Sequence, residues 1–106
     1  MISLIEAREL VSAELEKDPI CNAAGEIIDR LVILDQHTMT RPYGWVFFYQ
    51  SERFLRGYEG GLLYGNSPIL VTKIDGALHE IGTAGPPDEL LKAWDEGKGA
   101  RYLVVG

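Results

Sequence analysis

Residues 45–51, Trp-Val-Phe-Phe-Tyr-Gln-Ser, follow the turn cluster Arg41-Pro42-Tyr43-Gly44 and read as the clearest strand of the chain. Side chains of a strand alternate, so Trp45, Phe47 and Tyr49 share one face while Val46, Phe48 and Gln50 share the other. A strand with aromatics on both faces is a central strand, and both faces must be buried. The remainder of the chain has to provide the cover. With 106 residues it suits one domain, residues 1–106, and buries roughly 65% of the surface its unfolded form exposes. Apolar residues at 46% and charged residues at 25% are enough for one core and argue against disorder.

Two helices are expected to flank the sheet. Residues 3–16, "SLIEARELVSAELE", open with Ser3 and Glu6 at capping-box spacing, and Leu4, Ala7, Val11 and Leu15 recur on one helical face. Pro19 limits continuation. In "AGPPDELLKAWDEG" Pro87 fits the first helical position, Asp88 and Glu89 favour the positive end, and Gly97 suits the exit. Leu90, Leu91 and Trp94 form its apolar side. If both helices cover one face, the other face of the sheet is left partly bare.

Between them the chain is β-rich. Residues 18–26 are a connection. Residues 27–40 place Leu31, Ile33 and Asp35 on one face, with Val32 and Leu34 on the other. A short helical turn carries Phe54 and Leu55. "PILVTKI" and "ALHEIGT" flank Asp75-Gly76, a hairpin signal that predicts a two-residue type I′ loop with Ile74 opposite Ala77, Thr72 opposite His79 and Leu70 opposite Ile81. The tail "ARYLVVG" is expected to pair or dock. The fold class is therefore α+β, a mostly antiparallel sheet of four or five strands flanked by an N-terminal helix and a helix from the C-terminal half.

Charge and composition exclude several function classes. Sixteen acidic and ten basic residues leave a net charge of −6, a poor match to nucleic acid, which needs clustered Lys and Arg. A basic protein partner fits better. The single Cys21 forms no internal disulfide, which suits a reducing compartment. "MISLIEAREL" lacks the n- and h-regions of a signal peptide, and no apolar stretch approaches the ~20 residues that span a bilayer. A cytoplasmic protein with no membrane partner is expected.

The sequence offers little for catalysis. "YGNSPILV" places Ser67 after a glycine and asparagine, as a nucleophile elbow would. Yet G-x-S-x-G needs a second glycine and a following helix, whereas Ile69 stands at the glycine position, Pro68 follows the serine and a strand comes next. Gly65 and Asn66 then supply a turn and Pro68 starts a strand. His79 reads as a partnered core or rim histidine and His37 as solvated. Cys21 has no neighbouring base to activate it. No phosphate loop, metal-ligand spacing or carboxylate pair stands out, so no catalytic residue, metal or cofactor is expected. What is in surplus is aromatic: Trp45, Phe47, Phe48, Tyr49, Phe54, Tyr58 and Tyr64 fall within twenty residues. Exposed beside acidic rims, such residues make a protein-binding surface. Trp45, Tyr49 and Tyr58 are the expected partner contacts.

"GWVFFYQSERFL" and "YGNSPILVTKIDGALHEIGTAGPPDELLKAW" together resemble the immunity protein 35 family. The resemblance rests on Gly44, Trp45 and Phe47, then Gly65, Asn66 and Pro68, then Asp75 and Gly76, and last Gly82, Thr83 and Ala84, in that order. It covers residues 44–97; residues 18–43 carry none of these motifs, and the tail 98–106 runs past the usual end. The resemblance implies a non-catalytic protein that binds and neutralises a cognate toxin of a bacterial polymorphic toxin system. The family also takes in a small chaperone-like protein, so holding partly unfolded clients is the second reading. A docking tail or an uncovered sheet face would also allow a homodimer.

Overall fold

The computed structural model describes residues 1–57, 67–83 and 85–96. Helix α1 (Leu4–Glu16) begins with the expected capping box: the Ser3 hydroxyl accepts from the Glu6 N–H and the Glu6 carboxylate accepts from the Ser3 N–H, both at 3.2 Å. Ala7, Val11 and Leu15 are buried along one face, while Leu4, at the first turn, stays 44% exposed. The chain then forms a small antiparallel pair, β1 (Ile20–Cys21) within the stretch expected to be a connection and β2 (Ile27–Asp29) at the start of the stretch expected to be β-rich. Asn22 shapes its turn, its side-chain oxygen accepting from the N–H groups of Ala24 and Glu26 at 3.0 Å.

Strand β3 (Leu31–Ile33) leads through a 3-10 turn (Asp35–His37) into β4 (Met39–Arg41), and β5 (Gly44–Phe47) continues after Phe48 as β6 (Tyr49–Ser51). These two arms run antiparallel as one bent hairpin. β4 pairs with β5 across the two-residue turn Pro42-Tyr43, and β3 pairs with β6. The 3-10 turn inserts extra residues on one arm only. There the chain bends, and the long strand expected over 45–51 changes partners at Phe48. Helix α2 (Glu52–Leu55) follows as a single turn. Ser51 caps it by accepting from Phe54 N–H at 3.2 Å, and the buried Asp29 carboxylate accepts from Arg53 N–H at 3.1 Å. Strands β7 (Ile69–Thr72) and β8 (Leu78–Glu80) complete a four-stranded antiparallel sheet in the order β4-β5-β7-β8.

The two helical ends cover opposite faces of this sheet, so the partly bare face that one-sided cover would have left is absent. Under α1 lie Trp45, Phe47, Ile69 and Val71, with Leu31, Ile33, Tyr49 and Leu78 at the margin. On the other face Val46 and Leu70 pack against Leu91, with Met39, Tyr43, Phe48, Ile81 and Trp94 around them. The two-sided apolar pattern of residues 45–48 is satisfied in this way. The C-terminal helix is itself two turns, α3 (Pro87–Leu90) and α4 (Lys92–Asp95), joined at the fully buried Leu91. Pro87 occupies the first helical position as expected.

Two glycines of the sequence motifs have distinct backbone reasons. A Cβ at Gly44 would fall on the carbonyl oxygen of Val71, so β5 and β7 approach closely only because this position has no side chain. Gly76 adopts φ 67° at the hairpin tip. Asp75 does not join it at positive φ, because no residue other than glycine does among those described. The two-residue type I′ loop is thereby ruled out. The loop has four residues, Lys73 to Gly76, and Leu70 faces His79 where Ile81 was expected. The Asp75 carboxylate holds this wider turn, accepting from the Thr72 hydroxyl and, at 3.0 Å, from Ala77 N–H. β8 is thus displaced by two residues, which keeps every side chain on its expected face. Ile74 leaves the apolar face altogether and is 82% exposed.

Candidate protein-binding site

The aromatic residues singled out above occupy different depths. Trp45 is 7% exposed, set in the core beneath α1. The Lys73 ammonium lies over its ring, 5.1 Å from the centroid, and closes the rim. Tyr49 is half-buried beside the same core. Its phenol is pushed up from the ordinary value first by desolvation, then by the negative charges of Glu80 and Asp18. An aromatic group at the core margin flanked by carboxylates is therefore present at Tyr49. Tyr58 lies outside the described residues, as do Gly65, Asn66, Ala84, Gly97 and the tail expected to pair or dock.

The candidate catalytic groups are engaged in holding the fold. The Ser67 hydroxyl accepts from Gly82 N–H at 2.8 Å and donates to the Pro68 carbonyl at 3.2 Å. It therefore ties Ser67 and Pro68 to Gly82 across the base of the hairpin, and no base contacts it among the described residues. His79 packs on Trp94, with ring centroids 5.0 Å apart, and its Nε2 lies 3.3 Å from the Thr72 hydroxyl oxygen. Burial lowers its pKa, and the nearby Asp75 partly offsets this. Asp75 is held below the usual carboxylate range, chiefly by the Thr72 hydroxyl. In this chain Thr72 donates to Asp75, so histidine is not placed to take its proton as a general base would. Cys21 and His37 are exposed, and among the described residues no three His, Cys, Asp or Glu side chains come together to hold a metal.

A clasp the motifs did not reveal holds the C-terminal helix to the sheet. Arg41 pairs with Asp88 at 2.7 Å and lies 3.8 Å from Asp95. The Tyr43 hydroxyl donates to Asp95 at 2.9 Å, and its ring stacks on Trp94 at 6.1 Å. Burial, then the bond to Asp95, push the Tyr43 phenol up to about 12. "RPYG" was legible only as a turn. The spacing of Asp88 and Asp95, two helical turns apart on one face, was the available hint of a shared cation.

The opposite end of the molecule is more open. Two adjoining cavities of about 510 and 480 Å³ share Ile27, Arg30 and Glu52. The larger runs between α1, at Ser12 and Leu15, and the whole of β3. The smaller lies between β2 and α2. Ile27, Ile28, Phe54 and Leu55 are exposed around them. Surface ion pairs brace the walls: Arg8 bonds Asp35 through two nitrogens at 2.6 and 3.0 Å, and Arg56 meets Glu52 at 2.7 Å. The guanidinium of Arg8 holds the Asp35 carboxyl below its ordinary range. Among the described residues no helix is long and apolar enough to cross a membrane.

The family model of immunity protein 35 matches residues 6–97. The chain belongs to the immunity protein 35 family. The match begins inside α1, well before the motif-bearing half, and ends at Gly97, so the family frame includes the β1–β4 region that carried no legible motif. The chain is also 38% identical over 53 residues to "Uncharacterized protein YrhB" of Escherichia coli (strain K12). That similarity takes in 49% of this chain and 56% of the relative, so the chain spans about half the length of the curated protein it matches. No solved structure matches the chain.

Proposed function

We propose that this immunity-family chain acts as a single cytoplasmic module that binds one cognate bacterial toxin and blocks it by covering its active site. The family match over residues 6–97 is the observation that carries this reading. The role is non-catalytic, which is supported by the structural engagement of Ser67 with Gly82 and of His79 with Thr72 and Trp94. The net charge of −6 supports a basic partner, whose approach the acidic surface accelerates. Tyr49, flanked by Glu80 and Asp18, is the proposed anchor. Trp45 belongs to the core cluster against which Tyr49 packs, and Tyr58 is a further proposed contact on the sequence argument.

The test is calorimetry of the purified chain with the C-terminal toxin domain encoded beside its gene, and with an unrelated toxin domain as control. A 1:1 nanomolar complex with the neighbour alone is expected. No binding, or equally weak binding to both, overturns the reading. The exposure of Ile27, Ile28, Phe54 and Leu55 at one end favours a second reading, a chaperone-like hold on partly unfolded clients. That reading predicts broad, weak binding and suppression of heat aggregation.

A further inference from the structure

Among the described residues, strand β3 pairs on one side only. Its ladder with β6 uses alternate residues: Glu52 N–H bonds the Arg30 carbonyl at 2.8 Å and Leu34 N–H bonds the Phe48 carbonyl at 2.8 Å, which makes Val32 the bonded partner of Gln50 between them. The N–H and C=O groups of Leu31 and Ile33 therefore point away from β6. They have no main-chain or side-chain partner among the described residues, and β3 ends its sheet there. An unpaired edge of this sort is a template for another strand. Among the described residues it is not capped by a bulge or a proline. It lines the 510 Å³ cavity, whose opposite wall is α1 at Ser12, Leu15 and Glu16.

We propose that the toxin docks an extended segment along the open edge of β3, adding a strand to the β3–β6 pair. This deepens, and rests on, the toxin-binding reading. Strand addition needs a free row of main-chain groups beside room for alternate side chains, and the edge and the groove provide both. Charge selects the occupant. Arg8 and Arg56 are held by Asp35 and Glu52, and Glu16 and Arg30 leave one exposed charge of each sign on the groove without an ion pair among the described residues, so the choice rests on the charge of the chain as a whole. A second copy of this chain would bring another −6 against the first, whereas a basic partner is attracted. The exposed Arg30 guanidinium, where the two cavities join, is free to bind a carbonyl of the added strand.

The experiment is residue-resolved amide hydrogen exchange of the full chain, alone and with the neighbouring toxin domain. It is paired with calorimetry of Ser12→Arg, which fills the groove from the solvent side of α1. Free, Leu31 and Ile33 exchange quickly and Val32 slowly. In the complex, Leu31 and Ile33 slow at least a hundredfold while Val32 changes little, and Ser12→Arg weakens binding tenfold or more at unchanged melting temperature. A complex in which Leu31 and Ile33 exchange as in the free chain overturns the edge and leaves toxin binding intact. Slow exchange at both positions in the free chain, with a dimeric mass, assigns the edge to a second copy and overturns the proposal. Absence of any complex overturns the toxin reading, and the proposal falls with it.

Discussion

Trp45 offers a sharp separation between core and contact. It is 7% exposed and faces Ala7 and Val11 of α1 across the core. An aromatic side chain buries ~150–250 Å², and at ~25 cal/mol per Å² its burial contributes about 4–6 kcal/mol. Truncation to alanine keeps the Cβ but leaves a cavity, so Trp45→Ala should cost about 3–5 kcal/mol. Loss of the Lys73 stack adds only ~0.5 kcal/mol at this rim position. A chain of this length holds on the order of 5–15 kcal/mol in total, so roughly a fifth or more of it would go. Urea unfolding followed by far-UV circular dichroism measures this, because the substitution removes one of the two tryptophan fluorophores. Trp45→Phe keeps a ring under α1 and should cost about 1–2 kcal/mol, with toxin affinity of the folded chain unchanged. The reasoning is refuted by a Trp45→Ala loss below about 1 kcal/mol, or by a tenfold affinity loss in Trp45→Phe at an unchanged unfolding midpoint.

Gly44→Ala should prevent folding or cost more than ~3 kcal/mol, because its methyl meets the β7 main chain rather than a side chain that can move; a melting temperature within a few degrees of the parent would show that the strands can separate locally. Ser67→Ala removes the acceptor for Gly82 N–H and should cost about 1 kcal/mol by urea unfolding, with toxin binding retained. Ile74→Lys should change stability by less than ~0.5 kcal/mol, whereas a larger loss would revive the narrower hairpin with Ile74 facing inward. Acid should weaken the fold in two stages: the half-buried His79 has a lowered pKa, so the unfolded chain binds the proton first and stability falls as pH drops below 6.5, and the lowered carboxyls of Asp35 and Asp75 add their loss below 3.8. His79→Gln should remove the first stage from a pH series of unfolding midpoints and leave the second.

Local rules made much of this fold legible. The capping box of α1, the face assignment of residues 45–49 and the Pro87 helix start all depend on neighbours within four residues, and all appear as read. Failures begin where a distant contact decides. The Asp75-Gly76 loop widened because the Asp75 carboxylate accepts from Thr72 and Ala77 rather than turning through positive φ. Residues 27–40 read as continuous β because nothing in their composition announces the 3-10 turn that bends one arm at Asp35–His37. The site was harder still. Leu31 and Ile33 were visible as one apolar face, but whether a strand is central or an edge depends on which other strands reach it.

That distinction also governs where a partner can bind. Residues 45–48 demand cover on both faces, and α1 and α3–α4 provide it, so the broad faces of the four-stranded sheet are spent on the core. Large aromatic side chains in such a chain mark the fold before they mark the interface. What remains for recognition is the periphery: strand edges, the margin at Tyr49 with its flanking carboxylates, and the groove between α1 and β3. A groove beside an unpaired edge can bind through main-chain hydrogen bonds, which do not depend on side-chain identity. On the docking mode proposed above, side chains along the groove, such as Ser12 and Glu16, would be free to vary and to set which partner is accepted, while Gly44, Trp45 and Ser67 hold the frame behind them.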